Sequence, residues 1–279
     1  MTVPRTDLLR SMLPLSGRGL EIGPGYNPLL PKAEGFRIET ADYTDAEGLR
    51  AKYRGNPHVD LSRIEPVDHV LEEGRPLAEV VGQPGAFDFI IASHVIEHTP
   101  DILGFLVSCE TLLAPRGVLL LAIPDKRHCF DVLLPLTSTG AVLQAHLDRR
   151  TRPAPGSVFD DVAYSAVRDE AIGWALGDAR PLQFFSSLQA ATEVYDSARF
   201  SRQYHDVHVW RFVPSSFRLI VNDLFATGKL RLREDRFHDS VGNEFYMTMS
   251  VAAAGCPVDR LTLAKRALQE HATIPLDGT

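Results

Sequence analysis

The sequence is poor in cysteine, and its three cysteines, at positions 109, 129 and 256, lie far apart. They contain no Cys-x-x-Cys pair, so they supply neither a disulfide framework nor a zinc knuckle. A small, odd number of cysteines is typical of a reducing compartment. We therefore expect a cytoplasmic protein.

Long apolar runs are also missing. No segment reaches the ~18 consecutive apolar residues that a membrane-spanning helix needs, and residues 1–20 have no long apolar stretch behind basic residues. We therefore expect neither a membrane span nor a signal peptide.

Positive charge is not in excess. The formal net charge is −7, which argues against a partner that is bound mainly through phosphates, such as a nucleic acid. With 44% hydrophobic and 23% charged residues, the 279-residue chain has the balance of a folded protein. Its length suffices for one large α/β domain or a core with a smaller lid.

Short apolar segments alternate with helical patterns over the first half of the chain. Strands are predicted at residues 18–22, 36–40, 67–71, 87–92 and 118–123. Residues 6–13 predict a short helix, and another helix is predicted to begin with Thr99 as its cap and Pro100 as its first residue. Strands that alternate with helices predict βαβ units and a parallel sheet.

The pattern changes after residue 136, where helical stretches follow with no convincing strand until about residue 202. Strands resume at 229–233 and 245–251, and helices are predicted at 215–224 and 258–271. An insertion after a sheet strand is typically a lid over the site. We predict a core over residues 1–136, a helical lid over residues 137–204, and a third part over residues 205–279 that completes the sheet and ends in a helix.

A glycine-rich loop follows the first predicted strand. Residues 21–25 read Glu-Ile-Gly-Pro-Gly, and Asp42 ends the next strand. Glycines let the backbone approach a ligand closely at the carboxyl edge of a parallel sheet. A carboxylate about 20 residues further on can accept hydrogen bonds from both hydroxyls of a ribose. The pattern predicts a nucleotide or nucleoside site.

The loop fits a cationic adenosine ligand better than a dinucleotide. The dinucleotide fingerprint has a third glycine three places after Gly25, where this sequence has Pro28. Pro24 also removes an N–H that could face a phosphate. Glu21 places a negative charge under the loop, which would repel a pyrophosphate but suits the ammonium and sulfonium groups of S-adenosylmethionine.

Three segments together resemble the class I methyltransferases of the type 11 sort. They are Leu-Glu-Ile-Gly-Pro-Gly at 20–25, Phe-Asp-Phe-Ile-Ile-Ala-Ser-His-Val-Ile-Glu-His at 87–98, and Leu-Ala-Pro-Arg-Gly-Val-Leu at 113–119. The resemblance covers roughly residues 17–125. It implies an α/β, Rossmann-like seven-stranded methyltransferase sheet with its last strand antiparallel, and S-adenosyl-L-methionine as the cofactor.

The resemblance also implies a set of cofactor contacts. The methionine end would contact Glu21, Gly23 and Gly25, the ribose Asp42, the adenine the turn from Gly74 to Leu77, and the far wall would be Ser93 and His94. In one departure, Asn27 stands where the family commonly has a third glycine.

A second group of polar residues follows the fourth predicted strand. His94, Glu97 and His98 come directly after it, and His205 and His208 lie much later in the chain. Imidazole and carboxylate ligands together suit Zn, Mn, Fe or Ni better than Ca. The arrangement resembles metal-dependent small-RNA 3′-end 2′-O-methyltransferases, in which an acid-x-x-acid-His run and a later histidine bind a metal that grips a vicinal diol. Here His94 replaces the first acid. Ubiquinone-biosynthesis O-methyltransferases share the Glu-His step and also use a divalent ion.

Three interpretations of this group stay open. Glu97, His98, His205 and His208 could bind a divalent metal (Zn, Mn, Fe or Mg) that lowers the pKa of a sugar hydroxyl and orients it toward the sulfonium methyl. Without a metal, His98, His205 or His208 could act as the general base, because imidazole titrates near neutral pH. The Glu-His pair could also simply brace the loop and the cofactor.

Residues 124–127 and 205–210 resemble bacterial methyltransferases found alongside polysaccharide-building enzymes. This implies O-methylation of a sugar, a glycan-containing substrate or another small molecule. Alternatives are N- or C-methylation of a small metabolite and a non-catalytic cofactor-binding protein of the same fold. Four basic residues near the predicted site are either anion contacts or a solvated face: Lys126, Arg127, Arg149 and Arg150.

Overall fold

The computed structural model describes residues 3–175, 177–178, 180–201 and 203–274. Outside the described residues lie residues 1–2 of the predicted core, residues 176, 179 and 202 of the predicted lid, and residues 275–279 of the predicted third part. The first half of the chain contains α1 (Arg5–Ser11), β1 (Gly19–Ile22), β2 (Ile38–Asp42), α2 (Ala46–Tyr53), β3 (His69–Val70), α3 (Leu77–Val81), β4 (Phe87–Ser93), α4 (Ile102–Leu112) and β5 (Leu113–Pro124). The second half contains α5 (Thr139–Leu147), α6 (Pro155–Tyr164), β6 (Ala166–Val167), β7 (Gln183–Phe184), α7 (Leu188–Phe200), α8 (Pro214–Ala226), β8 (Arg233–Val241), β9 (Glu244–Ser250) and α9 (Arg260–Ala272).

Seven strands of the described chain form one sheet in the order β3-β2-β1-β4-β5-β9-β8. Strands β1 to β5 pair in parallel, and β9 runs antiparallel between β5 and β8. This is the sheet of the predicted fold class, with the last strand of the chain antiparallel. The predicted fold is therefore confirmed.

The central strands are buried on both faces, as their unbroken apolar sequences predict. Ile90 and Ala92 of β4 pack on one face in a cluster that includes Leu106 of α4. Phe89 and Ile91 pack on the other face, in a cluster with Leu9 of α1. Parallel pairing sets the ends of β1, β2 and β4 side by side, and this edge is where a parallel sheet places its ligands.

Helix α4 begins two residues later than predicted. Asp101, not Thr99, is its cap, because an oxygen of the Asp101 carboxylate accepts the backbone N–H of Gly104 at 2.9 Å. The Thr99 hydroxyl instead donates to the carbonyl of Val95 at 3.0 Å, within the preceding turn. The prediction of a Thr99 cap was wrong because this turn already uses the hydroxyl.

Loss of this cap has an expected cost. Asp101→Ala should lower the free energy of unfolding by about 1–2 kcal/mol, because it removes the Gly104 contact and the 2.8 Å ion pair with His146 of α5. Urea unfolding followed by circular dichroism measures the change. Thr99→Ala is the matched control and should cost less than Asp101→Ala. A larger loss of stability for Thr99→Ala than for Asp101→Ala would support Thr99 as the cap.

Three strand predictions differ from the structure. The segment predicted to have no strand contains β6 and β7, which form their own short antiparallel sheet and do not join the main sheet of the described chain. Two-residue strands are too short to show an alternating pattern. The strand predicted at 229–233 begins only at Arg233, and β3 spans two residues of the five predicted. Charged residues such as Glu234 and Arg236 in β8 are common on edge strands and hide the pattern.

The helices of the second half agree more closely with the bounds predicted from the sequence. Helices α8 and α9 lie within a few residues of the predicted bounds, and α5, α6 and α7 form the helical part of the predicted lid. Among the described residues, no helix is both long and apolar enough to cross a membrane. The division of the chain into three parts stays a prediction.

Candidate active site

The glycine loop after β1 has a backbone that only glycine adopts easily. Gly23 and Gly25 have φ angles of +64° and +54°. A Cβ atom at Gly23 would lie 2.9 Å from a methyl carbon of Val95, and one at Gly25 would lie 3.2 Å from the Tyr53 hydroxyl. The loop therefore needs glycine for its conformation and also for space.

Asp42 closes this loop from the end of β2. Its side chain is buried, and its two oxygens accept the backbone N–H groups of Gly25 at 3.1 Å and Tyr43 at 2.8 Å. Burial raises the pKa of Asp42, while these two donors lower it. Asp42, which is predicted to contact the ribose, and Gly25, which is predicted to contact the methionine end, thus lie in direct contact at the sheet edge.

Glu21 lies beneath the loop, in the interior. Its carboxylate accepts the backbone N–H groups of Leu29 at 2.7 Å and Leu30 at 3.2 Å. Burial raises the pKa of Glu21 to about 7, although the two backbone donors lower it. The carboxylate holds the chain that follows the loop, and its direct contact with a cofactor stays a prediction.

The predicted adenine turn lies against the lid. Gly74 has a φ of +80°, and a Cβ there would lie 3.7 Å from a methyl carbon of Thr151. Next to it, Glu73 forms an ion pair with Arg152 at 2.9 Å, and Leu77 begins α3. These contacts bring the lid to the turn that follows β3.

Ser93 ends β4, His94 follows it, and the two residues contact the first helix and the last strand. His94 has a strained φ of +53°, and its Nε2 lies 2.8 Å from a Glu244 oxygen. Arg5 of α1 donates to the Ser93 hydroxyl at 2.7 Å and also pairs with Glu244. Burial lowers the pKa of His94, but Glu244 and Glu97 raise it to about 9, so the imidazole is positively charged at neutral pH.

Three of the four predicted metal ligands converge behind this strand end. Atoms of Glu97, His98 and His208 that could bind a metal all lie within 4.8 Å of one another. The Nε2 atoms of His98 and His208 each lie 3.9 Å from Oε1 of Glu97. His205 lies outside this group within the described chain, and its Nε2 is buried without a hydrogen bond to a described residue.

Glu97 is the most buried member of this cluster, at 1% exposure. No described residue donates a hydrogen bond to either of its oxygens, and the nearest ring atom of His94 is 3.5 Å away. Burial raises the pKa of Glu97, but His94, His208 and His98 lower it below its usual value. The site therefore holds an ionised carboxylate that faces imidazole nitrogens without accepting a hydrogen bond from the described residues.

The sequence did not indicate a role for two carboxylates next to the imidazoles. Asp131 lies 2.7 Å from Nδ1 of His208, and Asp206 lies 2.9 Å from Nδ1 of His98. Asp206 stands between His205 and His208, so the cluster of polar residues was a signal for it. Asp131 follows a loop with no motif, and only the folded chain brings it to His208.

Three of the four basic residues have partners within the chain. Lys126 is buried and its Nζ donates to the carbonyl of Val132 at 2.6 Å, and burial lowers its pKa to about 8. Arg127 pairs with Asp125, and Arg150 pairs with Asp148. These contacts favour a structural role for Lys126, Arg127 and Arg150.

The family comparison agrees with this fold and loop. A family model described as a methyltransferase domain matches residues 4–180, and the chain belongs to this family. A comparison with curated protein sequences gives no significant match.

Solved structures share parts of the fold at low identity. A SAM-dependent methyltransferase from Thermotoga maritima, described as a possible histamine N-methyltransferase, is 22% identical over 43% of this chain and 50% of its own, with a TM-score of 0.32. The methyltransferase CalH in complex with SAH is 25% identical over 44% and 36%, with a TM-score of 0.30. The CcbJ methyltransferase from Streptomyces caelestis is 12% identical over 90% and 97%, with a TM-score of 0.45. This chain spans half or less of the first two, and likeness at this level does not indicate a substrate.

Proposed function

We propose that this methyltransferase transfers the methyl group of S-adenosylmethionine to a hydroxyl oxygen of a sugar or glycan-containing molecule, with a divalent metal at Glu97, His98 and His208. The convergence of one ionised carboxylate and two imidazole Nε2 atoms supports this proposal most strongly. The sugar class rests on the sequence resemblance of residues 124–127 and 205–210.

The three residues fit a divalent ion. Two imidazoles and a carboxylate are a common ligand set of catalytic zinc, which leaves a further position open for a substrate oxygen. Ligands about 2.1 Å from an ion at tetrahedral angles are roughly 3.4 Å apart. The distances of 3.9 Å from Glu97 Oε1 to the two Nε2 atoms need to shorten by only a few tenths of an ångström.

The cofactor is proposed to bind along the edge formed by β1, β2 and β4. Gly23 and Gly25 would allow close approach of its methionine end, and Asp42 would accept hydrogen bonds from its ribose. Glu21 would also contact the methionine end, and the turn from Gly74 to Leu77 would contact the adenine. Ser93 and His94 would form the far wall. This order sets the sulfonium near the end of β4, where Glu97 and His98 follow.

The chemistry follows from these positions. The substrate oxygen forms a bond to the methyl carbon as the carbon–sulfur bond breaks, and the electron pair of that bond returns to sulfur. The hydroxyl proton passes to solvent. A divalent metal, when bound, would supply the positive charge that lowers the pKa of the hydroxyl. Glu97 and the two histidines would hold the acceptor oxygen in line with the methyl group.

A second candidate is metal-free O-methylation with His98 as the general base. The His98 side chain is 30% exposed, and Asp206 lies 2.9 Å from its Nδ1, so Nε2 could receive a substrate proton. Burial lowers the pKa of His98, but Asp206 and Glu97 raise it. A residual activity that survives complete metal removal would favour this candidate.

Product analysis with metal-free and metal-loaded enzyme tests the proposed reaction. Purified protein is incubated with S-adenosylmethionine and a panel of sugar glycosides with and without vicinal hydroxyls, and S-adenosylhomocysteine release is measured. We expect activity on vicinal diols that chelation removes and Zn²⁺, Mn²⁺ or Fe²⁺ restores. Methylation only at nitrogen or carbon acceptors would contradict the proposal.

Cofactor affinity is expected to depend on pH through Glu21. Because the pKa of Glu21 is about 7, its carboxyl is largely protonated at about pH 6. A bound cation favours the ionised form, so binding would lower this pKa and release a proton. Affinity should therefore rise with pH up to about 7, by at most about tenfold per pH unit, and level off above it.

Titration calorimetry in two buffers of different ionisation enthalpy measures this proton release. S-adenosylhomocysteine, which lacks the sulfonium charge, should show a smaller rise, and Glu21→Gln should remove the rise. Affinity that falls with pH in the wild type would contradict the assignment of Glu21.

A further inference from the structure

Each imidazole of the Glu97 cluster has a carboxylate on its far side. Oδ2 of Asp131 lies 2.7 Å from Nδ1 of His208, and Oδ1 of Asp206 lies 2.9 Å from Nδ1 of His98. Neither aspartate belongs to the cluster of possible ligands itself. The His208 contact is a hydrogen bond, whereas Nδ1 of His98 lies close to Asp206 without hydrogen-bond geometry to a described residue.

These contacts determine where the ring protons lie. An ionised carboxylate can only accept a hydrogen bond, so it favours a proton on the Nδ1 that faces it. The neutral ring then carries its lone pair on Nε2. Both Nε2 atoms face Oε1 of Glu97 at 3.9 Å, and this oxygen too can only accept. Three possible acceptor atoms therefore lie within 4.8 Å of one another, which suits a cation between them and not another acceptor.

We propose that Asp131 and Asp206 are positioning residues, which fix the Nδ1–H tautomers of His208 and His98 so that both Nε2 lone pairs face the interior of the cluster. This inference rests on the proposed function, because the cation that would use those lone pairs belongs to it. Partners of this kind orient metal-binding histidines and strengthen their ligand atoms.

The two aspartates differ in how firmly they hold their rings. Asp131 is 1% exposed and also accepts a hydrogen bond from the Cys129 thiol at 2.9 Å. The His208 ring in turn packs on Phe130, with the ring centroids 4.5 Å apart. The Asp206 side chain is 59% exposed and also lies 3.5 Å from Nζ of Lys52. Asp131 should therefore have the larger effect.

The tautomers can be observed directly in metal-free protein. Long-range proton–nitrogen spectra of chelator-treated protein labelled with ¹⁵N-histidine distinguish Nδ1–H from Nε2–H rings. We expect Nδ1–H for His208 and His98 in the wild type. In Asp131→Asn, the amide can present either its carbonyl or its NH₂ group to Nδ1, so the Nδ1–H form of His208 should no longer dominate. Asp131→Glu keeps a carboxylate, so this variant should retain the Nδ1–H form of His208 in part.

Affinity for Zn²⁺, measured by competition with a chelating dye, is the second readout. Asp131→Asn should weaken it by about 10–100-fold, and Asp206→Asn by less. Asp161→Asn is the matched control, because Asp161 is also close to His208 but accepts its backbone N–H, at 3.1 Å, and not its ring. This control should change neither the His208 tautomer nor the affinity.

The two readouts separate this inference from the proposed function. If the wild type binds no Zn²⁺ but the His208 tautomer depends on Asp131, the metal proposal fails and the positioning role stands. If the wild type binds Zn²⁺ while Asp131→Asn keeps the same tautomer and the same affinity, the positioning role is wrong. If Asp131→Asn does not fold, Asp131→Glu takes its place. An Nδ1–H ring of His208 in Asp131→Glu supports the inference, and an Nε2–H ring overturns it.

Discussion

Removal of the Asp42 carboxylate should weaken binding of S-adenosylhomocysteine by at least about 100-fold. Hydrogen bonds that involve a charged group contribute about 1.5–3 kcal/mol each, and Asp42→Ala would remove two to the ribose. It would also release the Gly25 N–H that Asp42 now accepts at 3.1 Å. Titration calorimetry with the purified variant measures the loss.

Asp45 provides the matched control for this experiment. It stands three residues after Asp42 and caps α2 by accepting the Gly48 N–H at 2.8 Å, so Asp45→Ala should lower stability without changing affinity. Gly23→Arg should abolish binding, because even a Cβ at this position meets Val95 at 2.9 Å. Stronger binding of NAD than of S-adenosylhomocysteine by the wild type would refute the assigned cofactor site.

Replacement of Glu97 by glutamine should abolish metal-dependent activity. The variant removes one of three proposed ligands, and we expect turnover to fall by about 10²–10⁴-fold. His94, His208 and His98 hold the pKa of the Glu97 carboxylate below its usual value, so the ionised carboxylate contributes to stability at neutral pH. In chelator, the Tm of Glu97→Gln should therefore lie below that of the wild type.

This pair of measurements separates a functional cluster from a structural brace. If Glu97 only braces the loop, Glu97→Gln should keep most of its activity at temperatures where it is folded, although its Tm is lower. Glu110→Gln is the control, since Glu110 is also largely buried but pairs with Arg231 at 3.1 Å and does not belong to the cluster. Equal metal content in wild type and Glu97→Gln would rule out Glu97 as a ligand.

The sequence predicted the parts of the fold that depend on local pattern. The apolar runs of β4 and β5, the glycine loop and the Pro214 start of α8 are visible in the residues themselves. The short strands β6 and β7 are not, because each is stabilised by pairing with a segment that is distant in sequence. The start of α4 was misplaced for a related reason, since the Thr99 hydroxyl bonds within the turn before the helix.

The candidate site shows the same limit. Glu97 and His98 follow a strand end, where the sequence already indicates a site, and His208 stands in a visibly polar segment. His205 is in the same segment but lies outside the group in the described chain, because neighbouring residues of an extended segment point in different directions. Asp131 and Glu244 could not be foreseen, since their roles depend on long-range contacts with His208 and His94.

The proposed ligands lie on both sides of the lid in the sequence, with Glu97 and His98 before it and His208 after it. An ion held by all three would tie together the two ends of a long insertion. Closing a loop in this way lowers the entropy of the unfolded chain, much as a disulfide does in secreted proteins. The same atoms that activate a substrate would then act as a reversible crosslink, so that metal supply would control how tightly the lid is attached to the sheet.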